Sequence, residues 1–304
     1  ARINCALYCA KCRKSAKLKF SSACKNRGKV MLELYYLEEA DSICSNRAVM
    51  TLAEKGIDDW IAHKIILMDG DQFTPEYQKL NPKSQVPTLV HDGRVVRESS
   101  IICRYIDGLK QDPALMPADA VERAYLEEWI KDCDESGYQA TASINFVTKF
   151  RLAVPIEKME ARWKQVTDID RIHRQQSCIR EGLDSLYVLR AVGAWERIFA
   201  KAEKTLSDGR PWIMGDAISL VETTHAPFIK VLDLLRLLDL WLEDRPHVQA
   251  WWDRITERDS YKLLEEYPGQ SEDEDAPHAV AGKKVAAKFK ELLVDYRALM
   301  PTAD

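Results

Sequence analysis

The stretch from Asn81 to Ser100 constrains this chain more than any other, because it spells a turn, two short strands and a helix start in immediate succession. Val86 and Leu89-Val90 favour extended backbone, Asp92-Gly93 is the strongest short-range hairpin signal, and Val95-Val96 supplies the return strand. Glu98-Ser99 then opens a helical run through Ile101, Ile102, Tyr105 and Ile106. The first amides of a helix have no intrahelical partner and carry about half a positive charge, so a ligand carboxylate can rest on them. Ser99 adds a hydroxyl and Glu98 an anion. A ligand with an α-ammonium beside its carboxylate satisfies all three, which describes an amino acid or the γ-glutamyl end of a peptide. Val86-Pro87 can present a backbone N–H and C=O to an extended peptide if Pro87 leaves the ladder, as a cis bond at the strand start would make it do. About 5–6% of X-Pro bonds are cis, so the sequence leaves that isomer open.

Upstream, Leu32 to Leu37 reads as a strand, Ser45 to Lys55 as a helix through Ala48, Leu52 and Ala53 stopped by Gly56, and Ile61 to Leu67 as a second strand. With the hairpin and the helix from Glu98, this βαβ unit predicts a four-stranded, thioredoxin-like α/β N-terminal domain over residues 31–109. Pro113 and Pro117 mark a linker. From Asp119 the period becomes helical: Val121, Tyr125 and Trp129 share one stripe, and Leu126, Ile130 and Cys133 share the next. Leu183, Leu186, Ile198, Phe199, Ala202 and Leu206 repeat the pattern, so 119–261 is expected to be an all-α C-terminal domain. Ser219 and Glu222 form a capping box, and Pro227 predicts a kink or a first turn within the helix that follows. Residues 262–304 read as an acidic linker, Ser271 to Pro277, then a helix with Val285, Phe289, Leu292, Leu293 and Tyr296 on one face. This tail helix is expected to pack on its own subunit or on a partner.

Composition narrows the setting. The 304 residues suit two domains and the net charge of -4 is modest. No run of about eighteen apolar residues predicts a membrane span, and no stretch has the apolar core of a secretory signal. Eight irregularly spaced cysteines argue for reduced thiols and a cytoplasmic protein. Cys103, Cys133 and Cys178 are expected to be inert helix residues. Residues 1–30 carry nine Lys and Arg and no acid. Their Cys5, Cys9, Cys12 and Cys24 lack the paired spacing of a zinc site, and they read as a disordered basic extension rather than a transit peptide.

The string Asn81-Pro82, Val86-Pro87, Asp92-Gly93, Glu98-Ser99 resembles the glutathione-binding half of the glutathione transferases at each of its fixed spacings. Trp212 to Asp216 with Ser219 to Glu222 resembles a helix start in that family's second domain, and Arg245-Pro246-His247-Val248 with Trp251 its closing helix. The resemblance spans residues 31 to about 261. It implies the glutathione transferase fold, glutathione as co-substrate, a homodimer, a small hydrophobic electrophile, and no nucleic acid, membrane or metal. It places Gln85, Val86, Pro87, Glu98 and Ser99 on the tripeptide, with Lys83 and Gln85 at the glycyl carboxylate.

The chemistry is expected in the loop Asp41 to Arg47, where the first strand feeds a helix start. Ser42 can donate to the sulfur of bound glutathione, and Cys44 can itself be the nucleophile. Depressing a thiol pKa by two units needs about 2.7 kcal/mol; one hydrogen bond to a charged group supplies about 1.5–3 and a helix terminus about 0.3–1, so Ser42 suffices. Cys44 near the first helical turn invites a lowered pKa and a mixed disulfide. The motif Ser42-x-Cys44-Ser45-x-Arg47 is similar to the zeta class, although Ile43 stands where a second Ser is common. Ser-Ile-Cys-Ser looks like the tetrachlorohydroquinone reductive dehalogenase, and Gln85 to Ser99 resembles the bacterial β-aryl etherases. The resemblances imply thiol activation for attack on an aromatic electrophile, by conjugation or β-aryl ether cleavage, in detoxification or aromatic catabolism. Glutathione-dependent reduction through Cys44 is the enzymatic rival, and a non-catalytic binding module the other. Tyr125 and Trp129 are the expected lining of the hydrophobic pocket, with Phe146, Phe150 and Trp163 behind them. The six histidines show no metal spacing, and His91 reads as a surface residue.

Overall fold

A computed structural model describes residues 31–299. The basic extension with its four cysteines, and residues 300–304, lie outside the described residues.

The first layer is a four-stranded sheet in the order β2-β1-β3-β4. Strand β1 (Leu32–Tyr36) leads through a clamped loop into α1 (Ile43–Glu54), and β2 (Ile61–Lys64) returns parallel to it. Helix α2 (Pro75–Leu80) follows, then β3 (Thr88–His91), β4 (Arg94–Val96) and α3 (Ser99–Leu109). β3 runs antiparallel to both β1 and β4. Alternation along β1 sends Leu34 into the core beneath α1 and α3, while Tyr35 faces the other way, stacked on His63 and 6.1 Å from Tyr77 of α2. The hairpin turns at Asp92 (φ 48°) and Gly93 (φ 78°), both in the left-handed region that a tight two-residue loop demands.

Two strands are shorter than their apolar runs suggest, ending at Tyr36 and Lys64. Helix α1 begins two residues before the expected Ser45, because the Ser45 hydroxyl accepts from the Leu37 amide instead of marking the helix start. Helix α2 was not anticipated; its signal is Thr74, which caps the Tyr77 amide, with Pro75 in the first turn.

The second layer is helical, as its periodicity predicts. Helix α4 (Ala120–Asp132), capped by Asp119, runs through a π-helical turn at Cys133–Gly137 into α5 (Tyr138–Asn145). A second wide turn at Phe146–Phe150 ends in α6 (Arg151–Ala153). Then come α7 (Ile156–Trp163), α8 (Ile169–Glu181) and the long α9 (Leu186–Leu206). Ile198, Phe199, Ala202 and Leu206 are buried, but Leu186, at the start of α9, is exposed. Helices α10 (Leu220–Leu234), α11 (Asp239–Leu242), α12 (Pro246–Thr256) and α13 (Asp259–Glu265) complete the core, and α10 packs against α1.

The capping box forms: Ser219 Oγ accepts from the Val221 amide, and Glu222 accepts from the Ser219 amide at 2.9 Å. Glu222 also takes the Ile213 amide and the Trp251 indole, which offsets its complete burial. Pro227 does not open a new helix; α10 continues through it. Beyond Tyr261, α13 ends at Glu265, and two tail helices follow rather than one, α14 (Pro277–Lys283) and α15 (Ala286–Leu299). Val285, Phe289 and Leu293 are buried against the chain's own helical layer, and Tyr296 lies over Gly193 of α9. Among the described residues no helix is long and apolar enough to cross a membrane.

Candidate active site

The loop between β1 and α1 is held from several sides. The Asn46 amide side chain donates to the carbonyls of Glu39 and Ala40, the Ala40 amide donates to the Pro268 carbonyl, and the Ser42 amide donates to Glu39. Asp41 is buried, and its carboxylate meets Lys149 at 2.7 Å and His278 of α14 at 3.3 Å. Burial alone would raise its pKa, but Lys149 and His278 outweigh it and hold the carboxyl below the usual range. Ser42 follows as the N-cap of α1. It is 5% exposed and its side chain makes no capping hydrogen bond, which leaves the hydroxyl available to another acceptor.

Cys44 lies in the first turn of α1 and is half-buried. The expected fall of its thiol pKa is reversed: burial pushes the thiol above its ordinary value, with Arg47 and a hydrogen bond to Ser99 pulling only partly back. Arg47 is the residue that the sequence reading did not single out for a role. It is 2% exposed, one turn along α1, and its Nη1 donates to Ser99 Oγ at 2.9 Å and to Asp134 Oδ1 at 2.7 Å. Its guanidinium lies 5.2 Å from the centre of the Phe228 ring. A cation on a helix face otherwise buried is the only local signal of such a role, and its acidic partner lies in another layer.

Ser99 is the first residue of α3, so the starts of α1 and α3 meet at Cys44, Ser99 and Arg47. Glu98 precedes it at φ 65°, a left-handed conformation uncommon for a residue with a side chain, and its carboxylate is exposed and paired with Lys83 at 2.7 Å. Lys83 is thus engaged by Glu98 in this structure. The Val86-Pro87 bond is cis, and Tyr77 Oη and Asn81 Nδ2 both donate to the Gln85 carbonyl just before it.

The expected pocket residues fall elsewhere. Trp129 is 5% exposed on the core side of α4, with the His225 ring 6.0 Å away and Lys201 Nζ 4.3 Å from its own ring, while Tyr125 is 54% exposed on the outer side. Their helix turns one of them into the core and the other to solvent. Trp163 is buried and donates to Gln175, and Phe146 stacks on Phe150. His91 is not a plain surface residue, since its Nδ1 lies 2.6 Å from Tyr105 Oη. Open space lies beside Gln85. A cavity of about 490 Å³ is bounded there by Tyr138, Tyr187, Arg171, Arg174 and Arg190.

Comparison with known proteins fits this geometry. The family model described as Glutathione S-transferase, N-terminal domain matches residues 41–109, and that of the C-terminal domain matches 178–259. Maleylacetoacetate isomerase of Rattus norvegicus is 30% identical over 202 residues, 66% of this chain and 76% of that protein. The chain belongs to the glutathione transferase family. Tetrachloro-p-hydroquinone reductive dehalogenase of Sphingobium chlorophenolicum is 25% identical over 238 residues, 75% of this chain and 93% of its own length. The crystal structure of the β-etherase LigF from Sphingobium sp. strain SYK-6 superposes with a TM-score of 0.65 at 25% identity, covering 78% of this chain and 99% of that one. The thioredoxin-like layer followed by a helical layer is the fold of this family.

Proposed function

We propose that this transferase binds glutathione along Val86-Pro87 and directs its sulfur at an aromatic electrophile, forming a thioether as a leaving group departs. The observation that supports this reading best is the meeting of two helix starts, with Ser42 and Cys44 on α1 and Ser99 on α3, over the buried cation Arg47. The γ-glutamyl carboxylate would rest on the free amides of α3 and on Ser99, and its ammonium on Glu98, which exchanges Lys83 for the ligand. The peptide's own amide groups would pair with the backbone at Val86, and its glycyl end would run towards Gln85. Ser42, with its hydroxyl uncommitted, would donate to the thiolate and lower its pKa. The β-aryl ethers and halogenated hydroquinones suggested by the relatives are the electrophile chemistries to assay first.

A second reading, glutathione-dependent reduction through a mixed disulfide at Cys44, is favoured by the accessibility of Cys44 beside Arg47 and disfavoured by the upward push of burial on its thiol. Ser42→Ala is expected to cut conjugation of 1-chloro-2,4-dinitrobenzene about 25-fold at pH 7, since lowering a thiol from about 8.5 by two pKa units raises its thiolate fraction from about 3% to about 76%. Cys44→Ser is expected to retain most of the rate. The reverse pattern, with a glutathione adduct on Cys44 by intact mass, would hand the chemistry to the cysteine. No uptake of glutathione at millimolar concentration by calorimetry would sink both readings.

A further inference from the structure

The cavity beside Gln85 is not the apolar slot that a purely hydrophobic electrophile would want. Three arginines border it, Arg171 and Arg174 from α8 and Arg190 from α9, against two carboxylates, Asp168 and Asp170. Asp168 is already committed to capping α8, accepting from the Arg171 amide at 2.9 Å. Arg174 is the telling residue. It is 6% exposed, its Nε is buried without a hydrogen-bond partner, and among the described residues no carboxylate lies within ion-pair distance of its guanidinium. The face of Tyr138 lies against it, with the ring centre 5.5 Å from Cζ. Arg171 Nε is likewise buried and unpartnered, and Arg190 stands 5.9 Å from the Tyr187 ring centre.

A guanidinium taken out of water and left without an anion costs free energy that a structure normally recovers by pairing. Among the described residues no such pair is formed, and the unpartnered groups border a space large enough for a substituted ring. Arg presents parallel N–H donors that match a carboxylate in two bonds, and the two tyrosines that border the cavity suit a flat ring. A neighbouring cavity of about 370 Å³ shares Gln139, Tyr187 and Arg190 and adds apolar surface from Leu189, Ala191 and Ala194.

We propose that the electrophile is an aromatic acid whose carboxylate is received by Arg174, backed by Arg171 and Arg190, with its ring between Tyr138 and Tyr187. This deepens the transferase reading and rests on it. A carboxylate could also come from the glycyl end of glutathione, since Gln85 borders the same cavity. The two sources are separable.

The experiment uses two matched electrophiles, 4-chloro-3,5-dinitrobenzoate and its methyl ester. In both, the glutathione thiolate adds to the carbon bearing chlorine, chloride leaves, and the thiol proton passes to water. With rates divided by the uncatalysed ones, the protein is expected to favour the acid over the ester at least 10-fold in kcat/KM. Arg174→Met should bring that ratio to about one, and Arg174→Lys, which keeps the charge and loses the fork, should fall between. The preference for glutathione over its glycyl ethyl ester should keep its wild-type value in both variants. An acid-to-ester ratio near one in the wild type, or one that Arg174→Met leaves unchanged, overturns the proposal while turnover keeps the transferase reading intact. Loss of the glycyl preference in Arg174→Met overturns it in favour of the tripeptide. If neither electrophile turns over, the transferase reading fails first, and calorimetry decides the proposal. Tighter binding of S-(4-carboxy-2,6-dinitrophenyl)glutathione than of its methyl ester, lost in Arg174→Met, supports it; equal binding overturns it.

Discussion

The start of α1 and the cavity beside Gln85 are both rich in charge, but they use it in opposite ways. Around the loop the buried charges have carboxylate or cation partners from distant parts of the chain: Arg47 meets Asp134 through Nη1, although its Nε and Nη2 are without a hydrogen-bond partner, and Asp41 meets Lys149 and His278. Around the cavity Arg174 has none. Paired charges hold the loop, so that Ser42 and Cys44 stand in one geometry. An unpaired one is what the proposed carboxylate ligand would answer. Charge count alone would not separate the two regions; the pairing does.

Removing one cation from each region tests that contrast directly. Arg47→Met leaves Asp134 and Ser99 without their donor; because Asp134 is 36% exposed, solvent screens part of the loss, which is expected to be about 1–3 kcal/mol of stability. Arg174→Met relieves an uncompensated buried charge at the loss of one ring contact, and is expected to shift stability by no more than about 1 kcal/mol. Urea midpoints of the two variants at pH 7 check this, and equal losses would break the comparison.

A pH-dependent effect comes from His225, which packs against Trp129. Burial lowers its pKa to about 4. The unfolded imidazole, with a value of about 6.5, takes up a proton that the folded one refuses, so the unfolded state binds more protons between these limits. Stability from this group is therefore full above about pH 6.5 and is lost as the pH falls towards 4, by about 3 kcal/mol in all. Melting temperatures measured across that window should show the slope, and His225→Asn should flatten it.

A packing change probes the cavity side. A Cβ at Gly193 of α9 would come 2.4 Å from the Tyr296 ring of α15. Gly193→Ala should cost about 1–3 kcal/mol by overpacking and loosen the tail helix, measured as faster hydrogen exchange in α15. Unchanged exchange would show that the helix tolerates the methyl by a small shift.

Much of the first layer was legible in the residues. Asp92-Gly93 forces its hairpin because two consecutive left-handed residues are cheap only for such pairs, and Ser219 with Glu222 forms its cap from groups three residues apart. Local chemistry also misled. Ser45 has the side chain of a helix start, but its hydroxyl serves Leu37, so α1 begins at Ile43 and Cys44 enters the first turn. Tyr125 and Trp129 share a helical stripe in the sequence, yet the packing of α4 buries one and exposes the other.

The sequence by itself determined the layer order, the hairpin, the helix caps and the presence of Ser42, Cys44 and Glu98-Ser99 at strand ends and helix starts, because these depend on groups a few residues apart. Tertiary structure alone decided that Arg47 would join α1 to Ser99 and Asp134, that burial would raise the Cys44 thiol, and that Arg174 would border a cavity unpaired. Pairing and desolvation act through space between side chains remote in the chain, and no local pattern encodes them.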